Sequence, residues 1–226
     1  MRMFFVVAAL KGSLAMSTVR RILVLHGKGG SGPSMRDRFA RITSALPEFD
    51  FVFPTAPHES SGGFAWWLVK PGERSFTATE FIGLEDSLNL IRREQKQTRF
   101  EAVWGHSQGA ILLAAVLARA QRYRGNFGLS PPVFAHSRLV KYILNGAAWP
   151  APFEDDLRDL TEVNERTLHC YGTADDINPP DQAARLAALF DGTTYVHSGG
   201  HYVPDDADAI LAYRNFLVGG RGAVDR

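Results

Sequence analysis

The sequence predicts an α/β fold: one domain built on a mostly parallel, doubly wound sheet with helices on both faces and no separate lid domain. Three observations carry this. Short apolar runs alternate with longer amphipathic segments along the chain. One run, Phe100-Glu101-Ala102-Val103-Trp104, passes directly through Gly105-His106-Ser107-Gln108-Gly109 into an alanine- and leucine-rich stretch. Finally, 226 residues allow a substantial core but not a second, lid-sized unit.

The first expected strand, 21–26, runs into the glycine-rich loop Gly27-Lys28-Gly29-Gly30-Ser31-Gly32. Helical periodicity follows over 34–45 and an aromatic strand over 50–54. A helix over 82–96, a strand over 100–104 and a helix over 107–122 form the middle of the chain. Strands over 139–145, 167–171 and 193–197 alternate with helices over 180–190 and 205–217. Such alternation places the ligand crevice at the carboxyl ends of the strands. The domain is expected over 20–218, with a lead at 1–19 and a tail at 219–226.

In the lead, Arg2 precedes an apolar run that resembles a signal sequence. Lys11 interrupts it, no cleavage site follows, and it is too short to span a bilayer. It reads as a disordered lead or an upstream-start artefact, with Met16 as the alternative start.

Composition narrows the function further. A net charge of +1 without a basic block gives no footprint for nucleic acid. The single cysteine, Cys170, cannot form an intramolecular disulfide and fits a reducing, cytoplasmic setting. It falls in an expected buried strand, where packing is its natural role. No metal or cofactor and no stable membrane insertion are expected.

The chemistry centres on Ser107. In a strand, Gly-x-Ser-x-Gly, helix arrangement the glycines let strand and helix approach, leaving the serine hydroxyl on a strained bend above the sheet. The arrangement resembles the nucleophile elbow of α/β-hydrolases and makes Ser107 the candidate nucleophile. A serine nucleophile needs a histidine base and a carboxylate to orient it, following in the order serine, acid, histidine. Asp175 comes after the apolar segment ending at Tyr171 and the turn Gly172-Thr173-Ala174. His201 comes after Ser198-Gly199-Gly200. Asp176 reads as a solvated neighbour and His197 as a structural or rim histidine. His106 is expected to pack away from the serine hydroxyl, and His58, His136 and His169 take structural roles.

The glycine-rich loop has two readings. Gly27, Gly29 and Gly32 match a dinucleotide fingerprint, but the next strand ends in Pro54-Thr55-Ala56 without the carboxylate that would hold a ribose. The preferred reading makes it an oxyanion loop, with the backbone N–H groups of Lys28 and Gln108 directed at a developing oxyanion.

Two long connections are expected to shape the substrate site. The first, 58–81, exceeds most loops in compact domains and carries Phe64, Trp66 and Trp67. Its tryptophans either line an acyl pocket or anchor the loop to the core. The second, 124–137, holds Phe127, Leu129, Val133 and Phe134 and reads as a small flap over the serine. Trp66, Trp67 and Phe134 are therefore the substrate-binding candidates.

Several blocks together resemble the fungal-type serine hydrolases (FSH). They are Leu23-Val24-Leu25-His26-Gly27, Ala56-Pro57-His58-Glu59, Trp66-Trp67, Gly83-Leu84-Glu85-Asp86-Ser87-Leu88, the serine turn, Gly172-Thr173-Ala174-Asp175 and Gly199-Gly200-His201-Tyr202-Val203-Pro204. The resemblance covers about Arg20 to Leu217, and the tandem tryptophan before the Gly-x-Glu-x-Ser-Leu helix is its most specific part. It implies Ser107, Asp175 and His201 as the triad. It also implies carboxylesterase or thioesterase activity on a small-molecule ester or thioester, here expected to carry a short-to-medium acyl chain. Lys28 and His106 depart from the residues frequent in the family. The alternative is a non-catalytic receptor or binding protein on the same fold.

Overall fold

The computed structural model describes residues 19–122, 141–158, 160 and 166–219. Six strands form one parallel sheet: β1 (Arg20–Leu25), β2 (Phe49–Val52), β5 (Ala102–His106), β6 (Lys141–Asn145), β7 (Arg166–Gly172) and β8 (Thr193–His197), in the order β2-β1-β5-β6-β7-β8. The chain leaves β1 in one direction to β2 and returns past it to β5, so the order reverses between β1 and β5. A doubly wound sheet opens its crevice at such a switch point. The loops that follow these two strands are the glycine-rich segment and the serine turn.

Alternation along the strands explains the two layers. Leu23, Leu25, Val103 and Leu144 face α3 (Leu84–Gln97), α4 (Gln108–Arg122) and α6 (Pro180–Leu189). Ile22, Val24, Trp104, Ile143 and Leu168 face α1 (Gly32–Arg38), α2 (Ala40–Ala45) and α7 (Ala207–Val218). Both faces are thus covered, as a parallel sheet requires. Helix α4 is apolar nearly all round, with Ala110 to Ala118 buried, which suits the central helix of its layer.

The expected 34–45 helix is two helices, broken at Phe39. This residue leaves helical geometry (φ −86°, ψ 1°), and its buried ring packs edge-on against Trp104 at 4.9 Å and Phe53 at 5.7 Å. The aromatic contact belongs to the tertiary structure, so helical periodicity alone passes over it. The 58–81 connection contains an unexpected antiparallel hairpin, β3 (His58–Ser60) and β4 (Gly63–Ala65). A 3₁₀ turn at Ala151–Phe153 and the short α5 (Glu154–Arg158) also went unpredicted. The flap segment 124–137, with Phe134, lies outside the described residues, as do residues 1–18 of the lead. Among the described residues no helix is long and apolar enough to cross a membrane.

His169 is a buried group that costs stability in acid. It is fully buried on β7, stacks on Phe190 at 6.0 Å, and neither ring nitrogen has a partner among the described residues. Burial pushes its imidazole down to about 4, below the roughly 6.5 of an unfolded histidine. The neutral ring therefore favours the folded state fully above about pH 6.5, and this contribution is lost as pH falls toward 4, an effect on the order of 3 kcal/mol. The denaturation midpoint should fall over that window in urea titrations, and His169→Leu should flatten the dependence. An equally steep slope in the variant would assign the effect to other groups.

Candidate active site

The serine turn is held by contacts too close for side chains. A Cβ at Gly105 would lie 2.5 Å from Ala110 N, and one at Gly109 would lie 2.4 Å from Leu25 O. Between them Ser107 has φ +52°, a left-handed conformation that L-residues adopt only under constraint. Its N–H donates to Asn145 O at 2.8 Å, and its carbonyl accepts from Ile111 N at 3.0 Å. The turn is thereby tied to β6 and to the first turn of α4.

Two further loops converge on it. His201 Nε2 lies 2.8 Å from Ser107 Oγ, and His201 Nδ1 lies 2.6 Å from Asp175 Oδ2. Asp175 is buried, and its other oxygen, Oδ1, accepts from Ile177 N at 3.0 Å and Asn178 N at 2.9 Å. A buried carboxylate is tolerated when such donors replace water. The asymmetry also orients it: with Oδ1 committed to the backbone, Oδ2 is left for the imidazole. The loop that follows β7 is joined to the end of β8 by Thr173 N to His197 O at 2.8 Å and to the loop beyond it by Ala174 N to Gly199 O at 3.0 Å. Asp176, by contrast, is exposed.

The glycine-rich loop lies against the serine. A Cβ at Gly27 would be 3.1 Å from Ser107 Cβ. Gly29 N donates to Phe64 O at 2.8 Å, Phe64 N to Gly30 O at 2.9 Å, and Gly30 N to Gly27 O at 3.1 Å. Two of the loop amides, those of Gly29 and Gly30, are therefore occupied within the protein. Lys28 N, next to Gly27 in the chain, and Gln108 N, next to the serine, have no hydrogen-bond partner among the described residues. His26 is buried and neutral, its basicity lowered by burial. Its Nε2 accepts from Ala56 N at 3.0 Å, which leaves Nδ1–H to donate to Gly27 O at 2.7 Å. Among the described residues no cluster of three or more His, Cys, Asp or Glu side chains is placed to hold a metal ion.

This is a strand-turn-helix serine hydrogen-bonded to a histidine and, through it, to a carboxylate. The family model described as Serine hydrolase (FSH1) matches residues 16–213. The chain belongs to this serine hydrolase family. The Drosophila pseudoobscura esterase GA18864 is 31% identical over 220 residues, covering 87% of this chain and 70% of that protein. The human esterase OVCA2 is 29% identical over 167 residues, covering 71% of this chain and 69% of that protein. Among solved structures, esterase PE8 matches with a TM-score of 0.63 at 20% identity, over 88% of this chain and 91% of that one. Zea mays acyl-protein thioesterase 2 matches with 0.62 at 21%, over 89% and 94%. These are α/β-hydrolase folds, and this serine hydrolase shares their architecture.

Some candidate residues of the serine hydrolase sit differently from expectation. Trp66 and Trp67 are both fully buried, so neither offers surface to an acyl chain, and anchoring of the loop is the reading their contacts fit. Trp67 stacks on Phe81 at 4.2 Å. His106 does not simply pack away from the site. Its ring lies 5.1 Å from that of His201, and its Nδ1 donates to Asn145 Oδ1 at 2.7 Å. Burial first, and the neighbouring His201 second, push the His106 imidazole down to about 3, so it is neutral. Asn145 and Asn178 were not anticipated. No local motif marks them, since their places depend on strand pairing and loop closure.

Asn178 Nδ2 donates to Gly146 O at 2.7 Å, and Gly146 has φ +57° with its absent Cβ only 3.1 Å from His201 Cε1. Gly146→Ala is therefore expected to push the imidazole off Ser107 Oγ. Hydrolysis of a chromogenic ester should drop by about tenfold or more, and wild-type turnover in this variant would show that the contact does not position His201.

Proposed function

We propose that this serine hydrolase cleaves carboxylic esters or thioesters of short-to-medium, apolar acyl groups by acyl transfer to Ser107. The observation that carries the reading is the continuous chain Asp175 Oδ2, His201, Ser107 Oγ, at 2.6 and 2.8 Å. His201 takes the Ser107 proton as Oγ attacks the carbonyl carbon, and the N–H groups of Lys28 and Gln108 receive the developing oxyanion. The imidazolium returns its proton to the departing alkoxide or thiolate. Water, deprotonated by the same imidazole, then releases the acid from the acyl-enzyme. Asp175 keeps Nδ1 protonated and stabilises the charged ring.

Two exposed apolar side chains adjoin the site residues in sequence. Ile177, two residues beyond Asp175, is 45% exposed, and Tyr202, next to His201, is 43% exposed. They supply apolar surface for an acyl or alcohol group, each buried CH₂ favouring binding by about 0.8 kcal/mol. Turnover of p-nitrophenyl esters should therefore rise with acyl length to a limit. A rate highest on acetate and falling steadily would argue against an apolar groove.

A fluorophosphonate should label wild type at Ser107 and leave Ser107→Ala unlabelled, folded and inactive. Retained labelling would move the nucleophile elsewhere, and an unlabelled wild type would favour the binding-protein reading. Asp175→Asn tests the carboxylate with its neighbour as control. Because Oδ1 accepts two backbone N–H groups, the new amide would turn its NH₂ toward His201 and select the tautomer that cannot accept the serine proton. A loss of kcat on the order of 10³- to 10⁴-fold is expected, against little change for exposed Asp176→Asn. The reverse ranking would transfer the role to Asp176.

A further inference from the structure

We infer that Trp66 is a positioning residue that sets the spacing between the two oxyanion donors, an inference that rests on the acyl-transfer reading above. Those donors belong to different elements. Lys28 N follows β1, whereas Gln108 N opens α4. An oxyanion hole works only if both N–H groups come within about 2.7 to 3.1 Å of one point. Their relative placement is therefore a tertiary property, and something must hold it.

Trp66 is bonded to both sides. Its indole Nε1–H donates to His26 O at 2.7 Å, two residues before Lys28. Its backbone N–H donates to Gln108 Oε1 at 2.8 Å, and Gln108 Nε2 donates to Trp67 O at 2.8 Å. The bridge is itself held from the core, because Ser87 Oγ of α3 donates to Trp66 O at 2.5 Å and Trp67 stacks on Phe81. The Trp66 ring is fully buried and lies 5.1 Å from the His26 ring, leaving no route for water to replace the indole donor. The β3–β4 hairpin reinforces the same unit, since Phe64, two residues before Trp66, bonds to Gly29 and Gly30.

Loosening this bridge should affect the transition state selectively. The donors are aimed at the oxyanion, so a shift of a few tenths of an ångström weakens its stabilisation while leaving ground-state binding nearly unchanged. Removing the indole N–H also strands His26 O, a buried acceptor, and the loop gains reason to move.

Two variants test this. Trp66→Phe keeps a ring and removes the N–H, and Gln108→Met keeps side-chain length and removes both of its bonds. Active serine is first titrated to completion with a fluorophosphonate, so that kcat is expressed per competent site. Each variant should show kcat lower by about tenfold or more, KM for a p-nitrophenyl ester within about twofold, and affinity for an alkyl boronic acid, a tetrahedral mimic, reduced in parallel with kcat. If Trp66 only fills the core, the titratable fraction and melting temperature will fall while kcat per titrated serine and boronate affinity stay at wild type, and the inference is overturned. Should Trp66→Phe fail to fold, Gln108→Met decides between the two roles by the same measurements. A wild-type enzyme with no titratable serine would instead overturn the acyl-transfer reading, and the positioning role with it.

Discussion

The site depends on one close approach, that of the first turn of α4 to the carboxyl ends of β1 and β5. Gly105 and Gly109 permit it, since a Cβ at either would meet backbone at about the length of a strong hydrogen bond. The approach forces Ser107 to φ +52°, a conformation costing on the order of 1 to 3 kcal/mol. Burial of α4 between the sheet and its neighbours offsets that cost many times over, because its side chains from Ala110 to Ala118 are withdrawn from water. The strain is sustained by packing that would exist without it. The same approach also brings Gly27 against Ser107, so the serine and the glycine-rich loop are juxtaposed by a single steric condition.

The remaining parts reach the serine because the sheet is parallel. Every strand ends on the same edge, and register carries the alignment outward: His106 pairs with Asn145 and Asn145 with Cys170, while on the far side Gly172 pairs with His197. Asp175 and His201 thus begin only a few residues from a common edge. Hydrogen bonds between their loops remove the freedom that remains. Orientation then follows from satisfaction of a buried charge, the backbone taking one carboxylate oxygen and the imidazole the other. Little of this precision comes from long flexible side chains, which suits chemistry that tolerates small displacements poorly.

Legibility in the sequence follows the range of the interactions. The six sheet strands, the sharp turn at Ser107 and the placing of Asp175 and His201 on loops at the same sheet edge were legible because each rests on a local pattern: an apolar run, paired glycines, a loop after a strand. The break at Phe39 was not, because the ring responds to Trp104 and Phe53, which are remote in sequence. The β3–β4 hairpin was hidden by its polar, glycine-rich composition, although Ser61-Gly62, with Gly62 at φ +86°, is a recognisable turn signal. The tandem tryptophan was conspicuous, but composition could not distinguish a residue that lines a pocket from one that braces it. Burial decides that, and burial depends on the whole fold.

His106 shows how a second imidazole is accommodated beside the candidate base. A second imidazole 5.1 Å from His201 would, if protonated, oppose the positive charge that His201 acquires in the proposed reaction, and at this distance inside a protein the penalty would be several-fold larger than in water. Burial removes the conflict by holding His106 near 3. Asn145 completes the arrangement, its Oδ1 accepting from Nδ1 and fixing the neutral tautomer. The ring can then serve as an aromatic surface beside His201, while its polar edge is satisfied by β6. Such an imidazole is tolerated because the environment determines its protonation state before the chemistry begins.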